Sequence, residues 1–430
     1  MNTTTEFLDK THEPLLQSWV ESANNPRSDF PIQNLPFGRF RTSSNDPWRI
    51  GIAIGDHVLD LLSAGVCKDI DINTLMSIPK HERKNLRQAL SLGLAVGSDH
   101  KEIWSKHLYL QNEVILGLPC VIRDYTDFYI GIHHATAVGK IFRPDNPLLP
   151  NYQWIPIGYH GRASSIQVSG HMFKRPWGQT KSLENDQPIL TPTQKLDFEL
   201  ELGVIISHNN DIGESIIIDN AEDHIFGLTL FNDWSARDFQ AWEYQPLGPF
   251  LSKNFASTIS PWMVTLEALE PYRSPFIRQK DHPEPLSYLQ SKSNQIRGSI
   301  EINIEVSLQT QKMKSLGDSP EIISKSNFSD AAYWTLAQLV THHTIGGCNL
   351  STGDLLGTGT LSGSSTQSAG SLLELSENGK KPIKLKNGEE RSFLEDGDEI
   401  IFEGFCEKEG FRKIGFGKCR STVLPSNSRS

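Results

Sequence analysis

The 430-residue chain has no apolar run long enough to cross a bilayer. Its longest, "VILGLPCVI" at 114–122, falls far short of the ~20 residues that a membrane helix needs. Cysteine is scarce. Cys67, Cys120, Cys348, Cys406 and Cys419 are scattered, odd in number and free of any CxxC pair. Such a set argues against a disulfide framework and for reduced thiols in the cytoplasm. The opening "MNTTTEFLDKTHEPLL" lacks a basic stretch ahead of an apolar core, so no secretory leader is expected. Positive charge is also in deficit: 41 Lys and Arg against 51 Asp and Glu leave a net charge of −10. That is the wrong sign for a general nucleic-acid binder, and cations for an anionic substrate would have to be gathered locally. Familiar catalytic signatures are missing, with no G-x-S-x-G, no H-E-x-x-H and no P-loop. "GTGTLSG" at 357–363 looks like a dinucleotide loop, but no helical pattern follows it.

What remains is a soluble globular composition, 37% hydrophobic and 21% charged, at a length that suits two or three domains. Residues 1–27 are polar and aperiodic, which predicts a short helix or a loose arm. From "FPIQNLPFGRF" to "IGIAIGDHVLDL", β-prone runs alternate with turn residues. This reads as a small β domain over 28–118 with one helical piece, "HERKNLRQALSLGLA". Beyond it, 119–430 is a long series of strands, among them "FELELGVIIS" (198–207), "IFGLTLFND" (225–233), "SIEINIEVSL" (299–308) and "DEIIFEGFCE" (398–407). One amphipathic helix is predicted over 329–343, with Ser329 as N-cap and Gly346-Gly347 as its stop. The Ser/Gly-rich "SGSSTQSAGS" at 362–371 reads as a loop.

"NDWSARDFQAWEY", 232–244, carries a polar row. Asp233, Arg237, Gln240 and Tyr244 are spaced to share one helical face, among Trp234, Phe239 and Trp242, which suit burial. Polar groups in such surroundings need partners, from the protein or from a ligand. The carboxylates say more. Glu199 and Glu201 leave the same face of an alternating strand whose other face is Leu200, Leu202, Val204 and Ile206. Two solvated glutamates on an open sheet would explain the spacing equally well. Asp127 and Asp233, however, are further acids set in the apolar runs "YTDFY" and "LFNDW". Four oxygen donors without a thiol suit a hard cation, Mg²⁺ or Ca²⁺, rather than zinc. Near them, "DFYIGIHHATAVGKIFR" brings His133 and His134, of which only one can face the site in an extended segment. Arg143 follows, Tyr159 sits in the glycine-bounded "IGYHGRASS", and Lys253 comes soon after the polar row.

The runs "DYTDFY", "HATAVG", "GYHGRASS", "LELG", "NDWSARDFQAWEYQPLGPFLSKNF", "GFGKC" and the segment from "THHT" to "TGT" resemble the fumarylacetoacetate hydrolase family over nearly the whole chain. The resemblance implies a mainly β protein, with an N-terminal SH3-like barrel followed by a C-terminal β-roll domain with a mixed sheet, and a homodimer. It implies hydrolysis of 4-fumarylacetoacetate, a small dicarboxylate, to fumarate and acetoacetate, the last step of tyrosine breakdown. It assigns the metal site to Asp127, Glu199, Glu201 and Asp233, together with Lys253 and Ser257. His134 would be the base and Glu374 would orient it. Arg237, Gln240 and Lys253 would face the developing oxyanion, while Tyr129, Arg143, Tyr159, Gln240, Tyr244 and Thr360 would line the substrate pocket. Two features depart from the family pattern: the apolar "IGIH" before the base, and Ala256-Ser257 where Gly and Thr are usual. Other readings are a metal-dependent 2-oxo acid hydratase or decarboxylase of the same fold, and a non-catalytic β-rich interaction module.

Overall fold

The computed structural model describes residues 7–68, 71–181 and 186–428; residues 1–6 of the predicted arm and the last two residues of the chain lie outside the described residues. Gly and Pro punctuation breaks the N-terminal region into short strands, and these pair with one another as an antiparallel five-stranded sheet. Its order is Leu108–Leu110, His57–Asp60, Arg49–Ile54, Phe37–Arg41 and Ile115–Leu116. The helix Lys80–Leu94 packs beside it, burying Leu90 and Leu94. Residues 7–27 are tied down: Thr11 accepts from Arg87 Nε at 2.9 Å, and a ring nitrogen of His12 lies 2.8 Å from the Glu267 carbonyl.

The remaining chain builds two larger sheets of mixed direction. The first runs Gly158–His160, Tyr125–Phe128, Leu355–Gly357, Leu200–Ile206, Ile225–Asp233, Ser257–Ile259 and Ile166–Val168, with Val264–Thr265 paired to Ile225–Asp233. The second runs Glu321–Asn327, Asn303–Gln309, Glu399–Cys406, Ile414–Leu424 and Met172–Lys174. Parallel pairings (Leu355–Gly357 with Tyr125–Phe128, for instance) sit among antiparallel ones. Leu200, Leu202 and Leu228 of the first sheet share one core with Val306, Phe402 and Phe416 of the second. Their burial is the main source of cohesion, at roughly 1.5–3 kcal/mol for each large apolar side chain.

Several local expectations change. The strand Leu200–Ile206 is buried on both faces, so no solvated sheet face holds Glu201. The run at 299–308 is two strands, Ser299–Ile300 and Asn303–Gln309. The helix expected over 329–343 divides into Phe328–Ala331 and Leu336–Thr344, because Ala332 bridges to Gly131 between them. Asn327 caps the first piece and Thr335 the second, in place of Ser329. The polar row also changes element. Asp233 ends a strand, and the helix begins at Arg237 and runs only to Glu243. Pairing of Asp233 with Ser257 in the sheet outweighs the helical spacing. Trp234 and Phe239 are buried, but Trp242 is 43% exposed.

Candidate active site

Sheet register brings the acids together. Asp127 lies in Tyr125–Phe128, Glu201 in Leu200–Ile206 with Glu199 just before it, and Asp233 at the end of Ile225–Asp233. Gly357 pairs with both Asp127 and Gly203, Leu200 pairs with Asn232, and Asp233 pairs with Ser257. One oxygen from each of Asp127, Glu199, Glu201 and Asp233 lies within 4.8 Å of the others, and all four residues are buried. Gly357 makes the approach possible: a Cβ there would stand 2.8 Å from Asp127 Oδ1 and 2.9 Å from Glu201 Oε2. Gly359, at φ 77°, donates its N–H to Glu201 Oε2 at 3.1 Å. The run that looked like a dinucleotide loop therefore serves the acid cluster.

Nearby cations offset only part of this charge. Lys253 Nζ lies 2.6 Å from Glu199 Oε2 and 2.8 Å from Asp233 Oδ2. Ser257 Oγ donates to Asp233 Oδ1 at 2.9 Å, and Tyr159 Oη to Asp233 Oδ2 at 3.4 Å. Arg237 Nη1 donates to Glu199 Oε1 at 2.7 Å, but its Nε is engaged by Asp197 Oδ2 at 2.9 Å. Burial pushes Glu199 up, yet Lys253 and Arg237 outweigh it and hold the carboxyl below the usual range. At Asp127 and Glu201 the Lys253 ammonium is too weak an offset. Burial, and then the neighbouring carboxylates, push both well above the usual range. Asp127 Oδ1 and Glu201 Oε1 are buried without a hydrogen-bond partner. Orphaned oxygens within four converging carboxylates are costly unless a positive charge fills the gap. This donor set fits a metal ion. Lys253 corrects one expectation, since its neighbours Asp233 and Glu199 outweigh burial and keep it an ammonium. An ammonium has no lone pair to give a metal, so the Lys253 side chain acts as counter-charge to the cluster.

A second group stands beside the acids. His133 and His134 lie on the helix Ile132–Phe142, not on an extended segment. His134 is buried, with Nδ1 2.7 Å from Glu374 Oε2, while His133 is more open and its nearest carboxylate, Asp330, is 3.9 Å away. Glu374 Oε2 also accepts from Ser362 Oγ at 2.9 Å and Ser371 Oγ at 2.7 Å. Burial raises the Glu374 carboxyl, but His134 and these hydroxyls more than compensate, so it is held below its ordinary value. The Tyr129 ring stands edge-on to the imidazole, with centroids 5.5 Å apart.

Both groups open onto one cavity of about 590 Å³. Asp127, His134, Glu199 and Lys253 reach it, as do Tyr129, Arg143, Tyr159, Arg237, Gln240 and Tyr244. Val138, Phe142, Leu148 and Ile157 form its apolar side. Glu201, Asp233, Ser257 and Glu374 do not line it. Thr360 does not line the cavity; it is buried, its Oγ1 has no partner, and its backbone carbonyl packs against Gly131.

The carboxylate cluster and the imidazole–carboxylate pair share one cavity, and comparison with known proteins gives the family. Residues 125–424 match the family described as fumarylacetoacetate hydrolase C-terminal, and residues 33–119 match fumarylacetoacetase N-terminal. The chain belongs to the fumarylacetoacetate hydrolase family. The fumarylacetoacetase of Dictyostelium discoideum is 47% identical, covering 96% of this chain and 99% of its own. That of Arabidopsis thaliana is 45% identical over the same shares of the two chains. Among solved structures, a Mycobacterium smegmatis protein of the HpcE type aligns over 90% of this chain and 100% of its own, with a TM-score of 0.51 at 18% identity. That likeness concerns the fold alone.

Some site residues escape sequence reasoning. Asp197 continues the alternation of Glu199 and Glu201, so the signal was present two residues upstream. Tyr152, which lines the cavity with its hydroxyl unpartnered, stands in a Pro-rich stretch with no periodicity to mark it. Gly357 and Gly359 matter only through strand pairing, which the local sequence does not display.

Proposed function

We propose that this chain hydrolyses a C–C bond of 4-fumarylacetoacetate, giving fumarate and acetoacetate, as in tyrosine breakdown. The observation that carries this reading is the His134–Glu374 pair opening onto the same cavity as the carboxylate cluster and Lys253. An ionised Glu374 accepts from Nδ1–H of His134, which leaves the lone pair on Nε2 for the cavity. Nε2 takes a proton from water, and the water oxygen attacks the carbonyl next to the fumaryl group. The resulting alkoxide meets unused donors. Two Lys253 hydrogens are directed at Glu199 and Asp233, which leaves one, and Arg237 Nη2 has no partner. Gln240 stands beside them, its amide oxygen 3.0 Å from Arg237 Nη1. Preorganised donors of this kind contribute ~3–4 kcal/mol each to the transition state. The C–C bond then breaks, its electron pair passes into the acetoacetate enolate, and the proton on Nε2 goes to the enolate carbon.

Mg²⁺ or Ca²⁺ held by Asp127, Glu199, Glu201 and Asp233 would supply Lewis-acid stabilisation of the developing negative charge. Arg143, whose buried Nε is unpartnered, suits a substrate carboxylate, and Tyr129, Tyr159 and Tyr244 suit its orientation. Thr360, buried and off the cavity lining, would act through its neighbours. An SH3-like barrel for the N-terminal sheet and a homodimer are proposed from family membership, and a cytoplasmic location from the scattered thiols. The match of residues 33–119 to a region described as fumarylacetoacetase N-terminal favours this reading over a 2-oxo acid hydratase or decarboxylase of the same fold. Loss of the ultraviolet absorbance of synthetic fumarylacetoacetate on adding the protein tests the reading. Turnover of 2-oxo acids with none of the diketone would overturn it.

A further inference from the structure

We infer that Asp197 is a positioning residue for this reaction, tying Arg237 and the Glu374–His134 pair into one hydrogen-bonded unit. The inference rests on the hydrolase reading above. Asp197 lies in the short strand Leu196–Asp197, opposite Ser235, and is fully buried. Each of its oxygens takes two bonds. Oδ1 accepts from Leu372 N at 2.7 Å and Phe198 N at 2.9 Å, while Oδ2 accepts from Arg237 Nε at 2.9 Å and Leu373 N at 2.9 Å.

Apart from Phe198 N, these donors belong to two separate elements, the helix that carries Arg237 and the helix that carries Glu374. Arg237 goes on to Glu199 and Gln240. Leu372 and Leu373 open the helix Leu372–Leu375, whose third residue is Glu374. Their amides have no partner inside so short a helix, and Asp197 supplies it. Glu374 is therefore anchored from both ends, by Asp197 at the backbone and by Ser362 and Ser371 at the carboxylate. Among the described residues, no other side chain hydrogen-bonds both Arg237 and this helix. A shift of Asp197 moves the group that aims the base and frees the guanidinium that faces the alkoxide.

Asn is the informative replacement. It keeps the shape, but its amide nitrogen would face two N–H donors that now meet an oxygen. Asp197→Asn should lower kcat about 10–100-fold with little change in KM, as loss of supporting partners around a site commonly does. Combined with Glu374→Gln or with Arg237→Gln, it should add little to the slower single variant, because the three act as a unit. Multiplying effects, or a full kcat in folded Asp197→Asn, would overturn the proposal. Should Asp197→Asn fail to fold, Arg237→Gln gives a second measurement. With ¹⁵N-histidine labelling, the His134 Nδ1–H signal should shift in that variant, and an unmoved signal would refute the link. This readout needs no turnover, so it separates failure of the link from failure of the hydrolase reading, which an inactive wild type would expose.

Discussion

Replacing Glu201 with Gln should weaken metal binding and activity yet stabilise the metal-free protein. Glu201 Oε1 has no partner, Oε2 has only the Gly359 N–H, and Asp127, Asp233 and Glu199 crowd it. A Gln keeps an oxygen for Gly359 and brings an NH₂ that can serve the orphaned Asp127 Oδ1. Removing one of several repelling buried charges is worth on the order of 1–3 kcal/mol. With an unfolding entropy of roughly 2.1 cal/mol/K per residue, that shifts Tm upward by about 1–3 °C in a chain of this size. The sign with pH follows from linkage. Because the folded pKa of Glu201 is raised, folded protein binds more protons than unfolded protein once pH exceeds the ordinary value of 4.5, so metal-free stability falls as pH rises from there. Gln does not titrate. Its advantage should therefore vanish below that pH and grow above it. Melting curves in EDTA across this pH range, repeated with Mg²⁺ and paired with metal analysis, measure each quantity. A metal-free variant that melts below metal-free wild type at neutral pH would refute the charge-repulsion account.

Other variants test the remaining parts. His134→Ala should lower kcat about 10²–10⁴-fold with the fold intact. His133→Ala should be mild, and the reverse ranking would place the base one residue earlier. Lys253→Met should cut kcat more than it raises KM. Since Lys253 also offsets Glu199 and Asp233, this variant should melt lower in EDTA, and an unchanged metal-free Tm would count against its counter-charge role. Gly357→Ala would place a methyl against Asp127 Oδ1 and Glu201 Oε2, so bound metal, measured by elemental analysis, should fall by at least tenfold. Wild-type metal content in that variant would mean that these carboxylates do not hold the ion. Chelation should abolish activity, and Mg²⁺ or Ca²⁺ should restore it; full activity in protein analysed as metal-free would sink the assignment of all four ligands.

The parts of the site that were legible in the sequence are those whose signal is local. Asp127 and Asp233 stand out as acids inside apolar runs, and Glu199 and Glu201 share a strand face, so a candidate metal-holding acid cluster could be read from composition and alternation alone. The mainly β character was legible for the same reason, through runs of alternating residues between turns, whereas the mixed strand direction came through the family resemblance. Glu374 was reached only through family resemblance, because its contact with His134 spans 240 positions and nothing near "SLLELS" distinguishes it from an ordinary helix residue.

The polar row of 232–244 shows why periodicity identified the right residues on the wrong element. Asp233 and Arg237 do converge on Glu199, since Arg237 binds it directly and Asp233 shares Lys253 with it. A helix would deliver them on successive turns of one rod. The structure delivers Asp233 from a strand end and Arg237 from the first turn of a helix, joined by the strand Ser235–Ala236. This arrangement lets Asp233 pair with Ser257 inside the sheet while Arg237 stays free to bind Asp197 and Glu199. A continuous helix would turn Asp233 away from the sheet and leave the acid cluster one ligand short. The need to converge with Glu199 and Glu201 across strand pairs, which no single-segment pattern encodes, decides the local structure here.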